Sequence, residues 1–147
     1  MQDSSIRVAT LMTYAIKTQI DDPHAETFAF VAQKAMYGGK LIAIGDTIFI
    51  FAGENEGGRG LIARGIVTYA ASIPKKPGIK RQTPRVSIAV QRTALAKRSM
   101  GRVELKHFTA QEDGQPQTEL NFKFYRQATN KIVRISEAAV LFLSECF

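Results

Sequence analysis

Apolar positions in this 147-residue chain recur mostly with a period of two. Val86, Ile88 and Val90 alternate with Arg85, Ser87, Ala89 and Gln91, which predicts a half-buried strand. Residues 47–51 form an unbroken apolar run, Thr47-Ile48-Phe49-Ile50-Phe51, as in a strand covered on both faces. Residues 61–70 predict another strand, and Arg64-Gly65 in its middle points to a bulge or a close backbone approach. Ile6, Val8, Thr10, Thr13, Tyr14 and Ile16 predict a first strand over 6–18, with a short helix as the alternative. Residues 102–108 alternate with Val103, Leu105 and His107 on one face and Arg102, Glu104 and Lys106 on the other. Leu120, Phe122 and Phe124 alternate with Asn121, Lys123 and Tyr125, and 131–135 predict a last short strand.

Helical spacing occurs in three places. Asp22-Pro23 suits a helix start, and Phe28, Val31, Ala32 and Ala35 form one stripe that Gly38-Gly39 would end. Residues 93–101 suggest a helical turn between Thr93 and Gly101. Ser136 caps a terminal helix over 137–145. Between these elements lie a Gly45-Asp46 turn, an acidic Gly-rich loop at 54–60 and a polar turn at Glu112-Asp113-Gly114. A basic loop at 74–84 with three prolines is expected to have a mobile tip. Five to seven strands without regular βα alternation predict an α+β fold. Its form would be a small, mostly antiparallel β-barrel with flanking helices, in one domain over 1–147.

Composition narrows the chemistry. With 45% apolar residues the chain can bury a full core. A mean hydropathy of −0.10 and no run of 18 apolar residues predict no membrane span. The patch at 8–16 lacks the features of a signal peptide. Cys146 has no partner for an internal disulfide and reads as a buried small hydrophobe in a reducing compartment, hence a cytoplasmic protein. His24 and His107 stand far apart, no metal-ligand spacing occurs, and Asp46, Glu54 and Glu56 read as solvated loop acids. Gly57-Gly58-Arg59-Gly60 lacks the Lys-Ser/Thr of a phosphate loop. Ser136 and Cys146 lie in no nucleophile motif. No metal and no cofactor are expected.

Charge points to a partner. Residues 71–107 hold ten Lys or Arg and one acid, Glu104: a net +9 where the whole chain carries +7, leaving the other 110 residues near −2. Such a block attracts polyanions, DNA or RNA foremost; the alternative is a solubilising surface strip. The phosphate-binding candidates are Lys75, Lys76, Lys80, Arg81, Arg85, Arg92, Lys97, Arg98 and Arg102, with Lys106 beside them. There is no Trp; Tyr14, Tyr37, Tyr69 and Tyr125 combine a stacking face with a polar tip.

Two segments carry a family resemblance. Ala43-Ile44-Gly45-Asp46-Thr47-Ile48-Phe49-Ile50-Phe51, then Gly60-Leu61-Ile62-Ala63-Arg64-Gly65-Ile66-Val67, resemble the core of PUA-like domains, and among them the EVE-type. The stretch from Phe124-Tyr125-Arg126 to Ile135 resembles the late barrel strands. The resemblance implies a small β-barrel that binds RNA, or that flips a modified DNA base into an aromatic-lined pocket. It places that pocket at Thr13 and Tyr14, Tyr37 and Gly38, and Phe51. Tyr125 and Asn130 are added from the residues themselves. EVE domains usually carry Trp near the first strand and a Lys-Ser-Glu-Pro-like end to it; here Tyr14-Ala15-Ile16-Lys17 stands there.

Three functions are thus open. One is a non-catalytic nucleic-acid-binding module holding a flipped or modified base. Another is a small RNA-cleaving or RNA-modifying enzyme on the same barrel, with Lys131 beside Tyr125 or Arg126. The third is a barrel that binds a small molecule or a protein. Oligomeric state has no signal in the sequence.

Overall fold

The computed structural model describes residues 12–53, 60–110, 113–127 and 129–147. Ile6, Val8 and Thr10 of the expected first strand, residues 54–59 of the acidic loop and Glu112 of the polar turn lie outside them.

Six strands close into a barrel in the order β1-β3-β4-β5-β2-β6. They are β1 (Thr13–Thr18), β2 (Thr27–Met36), β3 (Thr47–Ala52), β4 (Gly60–Ser72), β5 (Arg85–Leu95) and β6 (Lys131–Arg134). Four pairings are antiparallel, while β1 runs parallel to β3 and β2 parallel to β6. Closure leaves no edge strand unpaired. Gly65 sits where the β4–β5 register shifts, and a Cβ there would lie 2.5 Å from Val90 Cγ1 and 2.6 Å from the Gln91 carbonyl oxygen. This is the close backbone approach that Arg64-Gly65 implies.

Strand alternation sorts the apolar residues into two cores. Tyr14, Ile16, Ile48, Ile50, Val67, Ile88 and Ile132 fill the barrel. Ala15, Phe49, Phe51 and Val133 face outward under a helical layer that contributes Leu105, Leu120, Phe124 and Leu143. That second layer explains why the β3 run is apolar on both faces. It consists of α1 (Arg102–Leu105), α2 (Pro116–Asn121) with a π-helical turn (Phe122–Arg126), and α3 (Glu137–Ser144). Ser136 caps α3 as expected, its hydroxyl accepting from Ala139 N at 3.1 Å. Among the described residues no helix is long and apolar enough to cross a membrane, and no group of three His, Cys, Asp or Glu is placed to hold a metal ion.

Four segments depart from the expected elements. Residues 27–36 are the strand β2, not a helix. Phe28 and Phe30 both point into the barrel and stack at 5.7 Å. A bulge between Phe30 and Gln33, with Ala32 at φ +50°, then brings Ala35 back to the inner face. One strand with a bulge therefore mimics a helical stripe. Residues 93–95 continue β5 instead of turning into a helix. Residues 102–105 form α1: the Glu104 carboxylate accepts from Gly101 N at 2.8 Å, and only Leu105 is buried, while Val103 is 72% exposed. Residues 116–126 are helical because Leu120 and Phe124, four apart, are buried while Phe122 between them is 40% exposed.

Candidate nucleic-acid interface

One end of the barrel gathers the start of β1, the ends of β2 and β6, and the loop between β4 and β5. The register requires this: Tyr14 pairs with Arg134, Met36 with Val133, Lys34 with Arg85 and Val86 with Ser72. At this end Thr13 and Tyr37 line a cleft of about 510 Å³ with Lys123, Arg134, Glu137 and Val140. Tyr37 is held at φ +50°, a conformation non-glycine residues rarely take, and Gly38 follows at φ +86°. Its hydroxyl donates to Gln127 Oε1, its ring meets Phe122 edge-on at 5.8 Å, and Lys123 Nζ lies 5.8 Å from the ring centroid. The ring is thus fixed on one side and 37% exposed. Gly38 packs on Arg134, against whose Cβ a glycine Cβ would stand at 3.3 Å.

Glu119 forms the floor on the helical side. Its carboxylate accepts from Ser136 N at 2.9 Å, from the Ser136 hydroxyl and from Lys123 Nζ at 2.9 Å. Burial pushes this carboxyl up, but the bonds from Ser136 and Lys123 outweigh burial and hold it below the usual glutamate range. Glu119 ties α2 to the cap of α3, and its charge is neutralised in place.

The remaining pocket candidates do not join Thr13, Tyr37 and Gly38. Tyr14 follows Thr13 in an extended strand, so it faces inward, 1% exposed. Burial, then the nearby Asp46 carboxylate, raises its hydroxyl above the ordinary value. Phe51 is fully buried, its ring 5.0 Å from that of Phe124. Tyr125 lies at the opposite barrel end between Lys17 Nζ at 5.9 Å and the Arg102 guanidinium at 5.2 Å. Asn130 is exposed beside the turn entering β6. The expected tyrosine cluster is therefore corrected to one tyrosine, Tyr37, with another behind it in the core. Tyr69, half exposed on β4, does not line this cleft.

At the start of β6 Lys131 stands directly opposite Lys17 in the β1–β6 pairing. Lys131 is fully buried, and its ammonium donates to the carbonyls of Gln127 at 2.6 Å and Thr129 at 2.8 Å. Burial, with the charges of Lys17 and Lys34, brings it down to about 8. Enclosed this way, it anchors the turn before β6.

The basic block is divided by the fold. Lys75, Lys76, Lys80 and Arg81 are exposed on the loop at the cleft end. Arg85 Nη1 donates to the Ala32 carbonyl at 2.7 Å, bracing the β2 bulge. Arg92 Nη1 donates to the carbonyls of His24 at 2.7 Å and Ala25 at 3.1 Å. Arg98 pairs with Glu145 at 3.9 Å, and Arg102 covers Tyr125. Lys97, Arg98, Arg102 and Lys106 belong to the far end, beyond the β5 terminus. Arg134, Lys123 and Lys34 are cleft-end cations absent from the sequence-based set. Arg134 was accessible to prediction, because β6 alternation puts it in line with Ile132 at a strand end.

No protein-family model and no curated protein matches the chain. Solved structures do. Human THYN1 protein in complex with 5-methylcytosine containing DNA superposes with a TM-score of 0.61 at 16% identity, covering 91% of this chain and 96% of that one. The DUF55 domain of human thymocyte nuclear protein 1 gives 0.62 at 15%, covering 90% and 97%. A hypothetical protein from Leishmania major gives 0.60 at 11%, covering 93% and 94%. The chain shares the fold of these structures, a small α+β barrel of PUA-like form. The barrel here closes without any Trp, and among the described residues Tyr37 is the aromatic residue lining its cleft.

Proposed function

We propose that this protein is a non-catalytic nucleic-acid-binding module that holds one base, extruded from its strand, against Tyr37. The observation that carries this is the placement of the Thr13–Tyr37–Arg134 cleft and the exposed lysines of the β4–β5 loop at the same barrel end. A fixed aromatic face offers stacking to a planar base, and the adjoining cations suit the flanking phosphates. Among the described residues the acids lining the cleft are Glu119, tied to Ser136 and Lys123, and Glu137 in the first turn of α3, which supports binding over acid–base chemistry. The fold-level likeness to human THYN1, whose structure holds 5-methylcytosine containing DNA, makes a modified cytosine the first base to test.

The test is fluorescence anisotropy with duplex DNA carrying one 5-methylcytosine, the same duplex unmodified, and single-stranded RNA. Binding to at least one probe is expected, and Tyr37→Ala should weaken it about tenfold to a hundredfold, the range of one lost base–aromatic stack. Equal affinity of wild type and Y37A for every probe would remove the base from the cleft.

A further inference from the structure

We infer that the cavity beneath the β4–β5 loop is a second site, for a phosphate monoester such as the terminal phosphate of a nucleic-acid strand or the phosphate of a free nucleotide. It is separate from the Tyr37 cleft and shares no lining residue with it. The cavity measures about 250 Å³ and is lined by Lys34, Lys75, Lys76 and Arg85, and among the described residues no acidic one lines it. Lys34 and Arg85 face each other across the β2–β5 pairing. Four cations around one small cavity repel each other, so the fold must hold them there.

Three features of the loop do so. Its base is closed by Ile73 N donating to the Arg85 carbonyl at 2.9 Å and Ala35 N to the Pro84 carbonyl at 2.8 Å. Gln82 latches the interior: its side chain accepts from Lys76 N at 2.9 Å and donates to the carbonyls of Lys76 and Ile79, both at 2.8 Å. The bond from Arg85 to the Ala32 carbonyl fixes one guanidinium edge. A loop with an expected mobile tip is thus a latched ring that presents cations before any ligand arrives.

Preorganised like charge favours a multiply charged anion. A monoester carries close to two negative charges at neutral pH and three acceptor oxygens, whereas a backbone diester carries one charge. Ile73, Pro74, Ile79 and Pro84 supply an apolar wall for the attached nucleoside. The assignment of a strand end rests on the nucleic-acid reading; the phosphate assignment rests on the cavity alone.

The experiment titrates the full chain with three probes: a short oligonucleotide phosphorylated at one end, the same oligonucleotide with hydroxyl ends, and a nucleoside 5′-monophosphate. The phosphorylated strand should bind about tenfold more tightly than the hydroxyl-ended one. Lys34→Gln with Lys76→Gln should erase that advantage, so that both strands bind equally at whatever affinity remains, whereas Y37A, which weakens both strands alike, should preserve the ratio. Lys75→Gln with Lys76→Gln repeats the test on exposed positions, in case the half-buried Lys34 is needed for folding. If neither strand binds but the free nucleotide does, and K34Q/K76Q abolishes that binding, the pocket stands and the nucleic-acid reading falls. Equal affinity for both strands with no nucleotide binding overturns the pocket, as does an advantage that survives the lysine changes.

Discussion

Half-buried Glu119 and fully buried Lys131 both have depressed folded values, so each makes stability rise with pH, but in different windows. Glu119 has its folded value held down, so its contribution is present above the unfolded value of about 4.3 and is lost as pH falls through the folded value. Glu119→Gln should destabilise the protein at neutral pH by about 1–3 kcal/mol, because it leaves Ser136 and Lys123 donors short of an anionic acceptor. In urea unfolding, the gap between wild type and E119Q should close in acid; a gap constant down to about pH 3 rules out the ionised clasp. Lys131 acts in the alkaline window. With a folded value of about 8 against about 10.4 unfolded, the unfolded chain binds more protons between those limits. Stability should therefore rise with pH across that window, and Lys131→Met should flatten the rise. Residue-scale alternation also decides the cleft. Thr13 and Tyr14 are adjacent in β1, so only one of them can face outward, and a resemblance that names both cannot apply to both.

At the scale of elements, positions with unusual backbone or no room report on the strands. Ala32 sits at φ +50° in the β2 bulge, a conformation that costs an L-residue about 1–2 kcal/mol. Ala32→Gly should then leave stability unchanged or raise it by up to about 1 kcal/mol, while Ala32→Val should lower it; a helix over 27–36 would show the reverse order. Gly65→Ala should cost about 1–3 kcal/mol by forcing a methyl against Val90 and the Gln91 carbonyl, read as a lowered denaturation midpoint. The strands β3, β4, β5 and β6 and the helix α3 were legible because their patterns are unbroken: an apolar run, an alternation, a Ser cap. β2 was not, since a single bulge converts a period of two into a stripe at i, i+3, i+4 and i+7. The helical layer was misread for a related reason. Over a few residues, Leu120, Phe122 and Phe124 satisfy strand alternation, and only burial distinguishes the i, i+4 pair from the exposed Phe122. The cleft was half legible. Thr13 and Tyr37, two of the residues the resemblance named, line one cleft, whereas Arg134 and Lys123 are brought in by pairings that no local pattern encodes.

For the whole molecule, the closed barrel converts one basic segment of sequence into two separate surfaces. Lys75, Lys76, Lys80 and Arg81 stand at the cleft end, and Lys97, Arg98, Arg102 and Lys106 at the other. Charge density along the chain therefore overstates the charge available to any one ligand. Several of these side chains also serve the fold: Arg85 and Arg92 hold backbone carbonyls, and Arg102 covers an aromatic ring. A strand bound at the cleft end should release counterions only from phosphates near that end. For B-DNA the slope of log K against log salt changes by about 0.9 for each phosphate contact removed. Lys80→Gln with Arg81→Gln should thus flatten the slope by up to about 1.8 units, if each side chain meets one phosphate. Lys97→Gln with Lys106→Gln removes the same charge from the far end and should change it by less than about 0.3 units. Because the two pairs alter net charge equally, a general polyanion attraction to the basic surface predicts equal slopes for both variants, and only a ligand docked at the cleft end separates them.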